Sequence, residues 1–135
     1  MFIKYILNTN YGVIKKKIVK HNEERLFCRI NLLEGFDFGP VLYHRSIIGL
    51  FEDEVYLLHD VSLEPFHRIK NFEYIHHADS PSCILINKGK VVHLVSSKSL
   101  KANEEITLNI PLSCKEINIP IPEKYMYLSK SNTII

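Results

Sequence analysis

The chain has 135 residues and a mass of 15.7 kDa, enough for one hydrophobic core and too little for two. Its 46% hydrophobic and 24% charged content excludes a disordered or fibrous chain, and a net charge of +2 from 17 basic and 15 acidic residues makes no steering field, so direct nucleic-acid binding is not expected. Within that ordinary total, 18 Ile and 8 Val stand against 2 Ala, with 7 Phe, 7 Tyr and no Trp. β-branched and aromatic residues favour a pleated surface and Ala favours helix, so the composition predicts a mainly β fold with little helix and excludes a helical bundle.

In chain order, Phe2 to Leu7 and Tyr11 to Val19 flank Asn8-Thr9-Asn10 and predict an opening hairpin. Lys15-Lys16-Lys17, followed by Glu23-Glu24, reads as a solvated strand edge that discourages aggregation. Leu26 to Ile30 and Val41 to Leu50 look extended, punctuated by Gly35, Gly39-Pro40 and Gly49, and Val55 to His59 is a further short apolar run. Leu63 to Phe72, with Pro65 near its start, predicts one or two helical turns. Cys83 to Ile86, Asn87-Lys88-Gly89 and Lys90 to Val95 predict strand, turn and strand, with Gly89 supplying the positive φ of a tight reversal. Ile106, Leu108 and Ile110 alternate with polar residues and predict a half-buried strand over 104–110. Pro111, Pro120 and Pro122 break up the C-terminal tail, leaving Ile117 to Ile121 as a short edge strand. Tyr125, Met126, Tyr127 and Leu128 are expected to fold back on the domain, because an exposed cluster of that size is unusual. The division expected is a single domain over 1–113 and a packed C-terminal tail over 114–135.

Cys28, Cys83 and Cys114 are an odd count without CxxC spacing, which suits a reducing compartment. No segment approaches 18 consecutive apolar residues and the start lacks signal-peptide character, so a cytoplasmic or nuclear protein without membrane attachment is expected. His76, His77, Asp79 and Cys83 lie close in sequence, but adjacent histidines diverge on extended chain and the spacing matches no common zinc pattern, so no metal is expected.

Tyr74-Ile75-His76-His77-Ala78-Asp79-Ser80-Pro81-Ser82 resembles the Phe-Ile-Asn-His-Ser-x-x-Pro-Asn segment of the SET domain family. The hairpin that follows it and the run Ser96 to Thr107, ending Glu104-Glu105-Ile106-Thr107, are similar to the family's next two segments in order and spacing. Asn10-Tyr11-Gly12-Val13 can be laid on the family's Gly-x-Gly-Val turn. The resemblance spans about residues 5 to 110 and is concentrated in 72 to 110. It implies a fold of several small curved sheets with a threaded pseudoknot near residues 74–82. It further implies S-adenosylmethionine as cofactor, with Tyr11, Gly12, His76 and His77 as cofactor-binding positions, and a lysine-bearing protein or peptide as substrate. A chain this short could complete its peptide groove with a second copy.

Two departures from the family pattern bear on the chemistry. The family's tyrosine, three residues after the Thr of the Glu-Glu-Leu-Thr segment, orients the amine and the methyl donor; here that position is Ile110. Tyr125 and Tyr127 are the candidate catalytic substitutes, and Tyr43, Tyr56 and Tyr74 are further tyrosines to place. Ser82 replaces the second Asn, whose side chain braces the family's loop. The expectations are therefore a protein-lysine methyltransferase or a degenerate relative. The rivals are a catalytically inactive SET-fold module that binds a peptide or protein, and an unrelated small β-barrel-like module.

Overall fold

The computed structural model describes residues 13–50 and 57–127. Phe2 to Tyr11, Gly12, Val55, Tyr56 and Leu128 lie outside the described residues, and with them the first arm of the expected opening hairpin and two expected cofactor positions.

The mainly β expectation holds. Among the described residues nine strands form three sheets. β1 (Ile14–Ile18) pairs antiparallel with β2 (Glu24–Cys28) across a 3-10 turn at Lys20–Asn22. The central sheet is antiparallel, in the order β4 (Leu57–His59), β5 (Phe66–Ile69), β3 (Asp37–His44), β8 (Val91–Ser96), β7 (Cys83–Asn87). The third sheet is a short parallel pair, β6 (His76–His77) with β9 (Thr107–Leu108). The lysine run lies on β1, with Lys16 Nζ 3.7 Å from a Glu24 carboxylate oxygen and Lys17 Nζ 4.4 Å from the Phe27 ring centroid.

The hairpin expected around Asn87 is present as β7 and β8. Gly89 has φ +93°, and its N–H donates to Asn87 Oδ1 at 2.8 Å, a backbone that residues with a Cβ adopt at a cost. In β8 the alternation is clean: Val92, Leu94 and Ser96 are buried while Val91, His93 and Val95 are half-exposed. Gly39, at φ +91°, lets β3 bulge where Asp37 and Gly39 shift register against β8. The core joins the sheets: Phe38, Val41, Leu42, Ile69, Val92 and Leu94 from the central sheet meet Ile14, Leu26, Cys28, Leu100, Ile106 and Leu108.

Four local expectations are corrected. Leu63 to Phe72 is not helical: β5 occupies Phe66–Ile69, with 3-10 turns at Val61–Leu63 and Phe72–Tyr74. Phe66 and Ile69 both reach the core from this central position between β4 and β3, and the spacing that mimics a helical turn comes from a short strand entering and leaving burial. The extended run from Val41 ends at His44, where Arg45–Leu50 turns into 3-10 geometry. The strand expected over 104–110 is ladder-paired only at Thr107–Leu108, with an isolated bridge from Glu105 to Phe27. Ile110 is instead the first residue of α1 (Ile110–Glu116), the one α-helix among the described residues. Pro111 does not break structure here, because in the first helical turn its missing N–H has no intrahelical partner to lose, and Asn109 caps the turn by accepting from Leu112 N at 3.2 Å. Ile117 to Ile121 forms no ladder: Ile117 ends α1, Asn118 is left-handed at φ +60°, and Ile119 drops into the core. Helix α1 spans position 113, and Cys114, Ile117 and Ile119 beyond it pack into the same core.

On the solvent side of the sheet, both Asp37 carboxylate oxygens lie 3.0 Å from His93 Nδ1. Burial pushes the Asp37 carboxyl up, but hydrogen bonds from Gly39 N and His93 outweigh it and hold the group below its ordinary value of 3.8. A carboxyl lowered by folding contributes stability that is complete above the unfolded value and is lost as pH falls through the folded one. In urea titrations, Asp37→Asn should therefore be less stable than the parent near neutrality, and the gap should close between about pH 5 and about pH 2.

Candidate functional site

The segment 103–108 positions the site, because it bonds in turn to two sheets. Cys28 N donates to Glu104 O and Asn103 N to Cys28 O, each at 2.8 Å, and Ile106 N donates to Leu26 O at 2.8 Å, tying 103–106 to β2. Residues 107–108 then run parallel to β6, where Ala78 N donates to Leu108 O at 2.9 Å. Parallel ladders use the peptide groups of alternate residues, so this register faces the N–H and C=O of His77 away from β9.

Ser82 fastens this junction. Its N–H donates to Thr107 Oγ1 at 2.9 Å, and its Oγ accepts from Thr107 N at 2.9 Å while donating to Glu105 O at 2.8 Å. Ser82 and Thr107 are 3% and 9% exposed, so three hydrogen bonds satisfy polar groups that burial would otherwise leave unpaired. The Ser82 hydroxyl is short enough to reach two backbone groups of the facing segment.

The two histidines serve opposite sides, as successive residues on extended chain must. His76 turns to β2, its Nδ1 3.3 Å from Glu23 Oε1 and its Nε2 3.3 Å from Glu24 O. Arg25 bridges there between Glu23, at 2.9 Å, and both Glu105 oxygens, at 3.4 Å; its guanidinium, with help from His76, holds the Glu23 carboxyl below its ordinary value. His77 turns to α1: Ile110 N donates to its Nδ1 at 3.1 Å. That bond assigns the proton to Nε2, which donates to Asp79 Oδ1 at 3.0 Å. The His77 ring also lies 6.0 Å, centroid to centroid, from the Tyr125 ring.

Beside this group opens a cavity of about 410 Å³. Its walls are apolar, from Leu42, Leu63, Phe72, Ile75, Leu85, Leu108, Ile110, Ile117 and Ile119; Ser113 and Cys114 come from α1, and Asp60, Glu73, Lys124 and Tyr125 bring polar groups. The two acids are already engaged. Arg68, its side chain 15% exposed, puts Nη1 2.6 Å from Glu73 Oε1 and Nε 3.4 Å from Asp60 Oδ2. Asp60 also caps the 3-10 turn at Val61–Leu63, accepting from Ser62 N at 3.0 Å and Ser62 Oγ at 2.8 Å. Burial raises the Asp60 carboxyl, and these bonds together with Arg68 bring it below its ordinary value. Both acids of the lining are thus engaged by Arg68, and the remaining walls are largely apolar.

The tyrosines are placed unequally. Tyr125 lines the cavity together with Ile110, while Tyr127 is 65% exposed and is not part of the lining. Tyr43 is in the core, and Tyr74 lies under Lys16 Nζ at 4.6 Å. Among the described residues no group of three or more His, Cys, Asp or Glu is arranged to hold a metal ion, and no helix is long and apolar enough to cross a membrane. Arg25, Asp60, Arg68 and Lys124 were not singled out from sequence; of these only Asp60-x-Ser62 carried a local signal, the cap of a turn.

Burial pushes the thiols of Cys28 and Cys114 up to about 11 and that of Cys83 up to about 12. Relative to an ordinary thiol of pKa about 8.5, this cuts the thiolate population at neutral pH by some two orders of magnitude. Native protein should accordingly react with a thiol reagent at least ~10²-fold more slowly than protein in denaturant, as followed by absorbance. Neither a protein-family model nor a curated protein matches the chain.

Proposed function

We propose that this chain is a small SET-type methyltransferase, which binds S-adenosylmethionine and methylates a lysine of a protein or peptide, with Tyr125 in the role that Ile110 cannot fill. The observation that carries this reading is that Ile110 and Tyr125 line one apolar cavity, with His77 beside them: its Nδ1 accepts from Ile110 N and its ring lies 6.0 Å from the Tyr125 ring. The threaded arrangement implied for residues 74–82 is part of the proposal, supported by the parallel pairing of β6 with β9 and the Ser82–Thr107 fastening.

The residues present fit the cofactor in class. A cavity of about 410 Å³ is within the range of small-molecule sites, and the parallel register turns the peptide N–H and C=O of His77, a donor and an acceptor of the kind that reads a purine edge, away from β9. His77 and Tyr125 would hold it, with Tyr11 and Gly12 as further candidates from the resemblance. When bound, S-adenosylmethionine supplies a methyl group on a sulfonium, ready for in-line attack by an amine. The protein's task is to present that amine neutral. An ordinary lysine of pKa about 10.4 is over three units too basic at neutral pH, an obstacle of about 4 to 5 kcal/mol. Apolar walls such as Leu42, Phe72, Leu108 and Ile117 disfavour the charged form. The Tyr125 hydroxyl, hydrogen-bonded to the amine, would orient its lone pair. The His77 side chain, committed to Ile110 N and Asp79, keeps α1 and the Tyr125 ring in register beside the cavity.

Incubation of the chain with S-adenosylmethionine and basic lysine peptides, read by mass spectrometry, should add methyl groups to the peptides. No transfer to any peptide or to the chain itself overturns the reading. One observation favours the second reading, a catalytically inactive peptide-binding relative: Ile110, at the family's tyrosine position, is the first residue of α1 and carries no hydroxyl. That protein would bind peptide equally well with and without S-adenosylmethionine, and Ile110→Tyr would create no activity.

A further inference from the structure

We propose that the cavity binds an aliphatic carboxylate: a medium-chain fatty acid with its tail among the apolar walls and its carboxylate at Lys124. The inference stands apart from the methyl-transfer reading, and a ligand seated here would compete with any group that reading places in the cavity. The walls set the tail. Leu42, Leu85 and Leu108 reach the cavity from β3, β7 and β9, and Ile117 reaches it from the end of α1. Moving a hydrocarbon chain from water onto such walls is favourable in proportion to the area buried. Cys114 adds no charge inside, because burial holds its thiol up at about 11 and so protonated near neutrality.

The charges set the head group. Asp60 and Glu73 share the lining, but Arg68 engages both, so a cationic head group finds no free acid there. Lys124 is the cation of the lining, and its side chain is exposed, which puts it at the mouth. Its Nζ lies 5.1 Å from the Tyr125 ring centroid, a contact that favours the charged ammonium. Among the described residues no carboxylate pairs with it. A carboxylate at the mouth can meet this ammonium while keeping part of its hydration, which avoids the cost of burying a charge. The backbone fixes the position: Lys124 is the middle residue of the 3-10 turn Glu123–Tyr125, which follows Pro122 and is closed by Tyr125 N donating to Pro122 O at 2.8 Å. Val61 and Met126, both exposed, adjoin the lining residues Ser62 and Tyr125 in the chain, so apolar surface flanks the mouth where a tail enters.

Calorimetric titration of the full-length chain with hexanoate, octanoate and decanoate, and then with octanol and octyltrimethylammonium, tests this. The expected result is one carboxylate per chain, with affinity rising about three- to fourfold for each methylene until the cavity is full. Octanoate should bind about two- to fivefold more tightly than octanol, the effect of one partly solvated ion pair, and octyltrimethylammonium more weakly than either. Lys124→Glu, on an exposed side chain, should remove the preference for octanoate over octanol, and Leu63→Trp, which narrows the cavity from its wall, should weaken both about tenfold. Should Leu63→Trp fail to fold, Lys124→Glu and the chain-length series still decide. No saturable binding of any of the carboxylates in the millimolar range overturns the inference, as does octyltrimethylammonium binding as tightly as octanoate or a preference for octanoate that survives Lys124→Glu. Binding of S-adenosylmethionine without binding of octanoate or decanoate overturns this inference alone, and the converse overturns the methyl-transfer reading alone.

Discussion

Ser82→Ala should lower the free energy of unfolding by about 3 kcal/mol, one of the largest losses available to a single atom in this chain. Removing the hydroxyl leaves Thr107 N and Glu105 O without their partner in a buried environment, and each unsatisfied group costs about 1–3 kcal/mol. For a domain of this size the midpoint of thermal unfolding should fall by roughly 10 °C. Thr107→Val removes the reciprocal acceptor of Ser82 N, and the double variant should cost less than the sum of the two, because both substitutions open the same lock. Urea unfolding of the three variants reads this directly. A loss below about 1 kcal/mol for Ser82→Ala would mean that water or a shifted backbone replaces the lock.

On the methyl-transfer reading proposed above, Tyr125→Phe should reduce the rate of transfer by about 10²–10³-fold, the usual effect of removing one well-placed polar group from a preorganised site. The phenyl ring keeps the contact with His77 and the apolar wall, so thermal stability and cofactor binding should be close to the parent's. Tyr127→Phe, on a side chain 65% exposed and outside the cavity lining, should leave the rate within about twofold. Equal losses in the two variants would place the hydroxyl requirement somewhere other than the cavity wall.

The parts of this molecule legible in the sequence are those in which local and global forces agree. In the β7–β8 hairpin, alternating burial, β-branched residues and a Gly at positive φ point the same way, and the strands lie where they were expected. β5 and α1 were misread for opposite reasons. Phe66 and Ile69 are three apart, and a four-residue strand that enters the core at both ends imitates a helical face. Pro111 reads as a breaker until Asn109 is recognised as the cap that makes the next two positions a helical first turn. At the site, His76 and His77 were visible as a motif, and their divergence follows from extended backbone. The approach of His77 to Ile110 and Tyr125 was not visible, because it depends on segments far apart in the chain meeting across the parallel pair. The Asp60–Arg68–Glu73 group beside the cavity is likewise assembled from a cap, a strand and a turn that share no local pattern.

Calorimetric titration of the chain with S-adenosylmethionine reads the proposed cofactor binding itself. A saturable heat with one cofactor per chain is expected, together with a negative heat-capacity change from burial of apolar surface. The absence of any saturable heat with the cofactor in the millimolar range would contradict it.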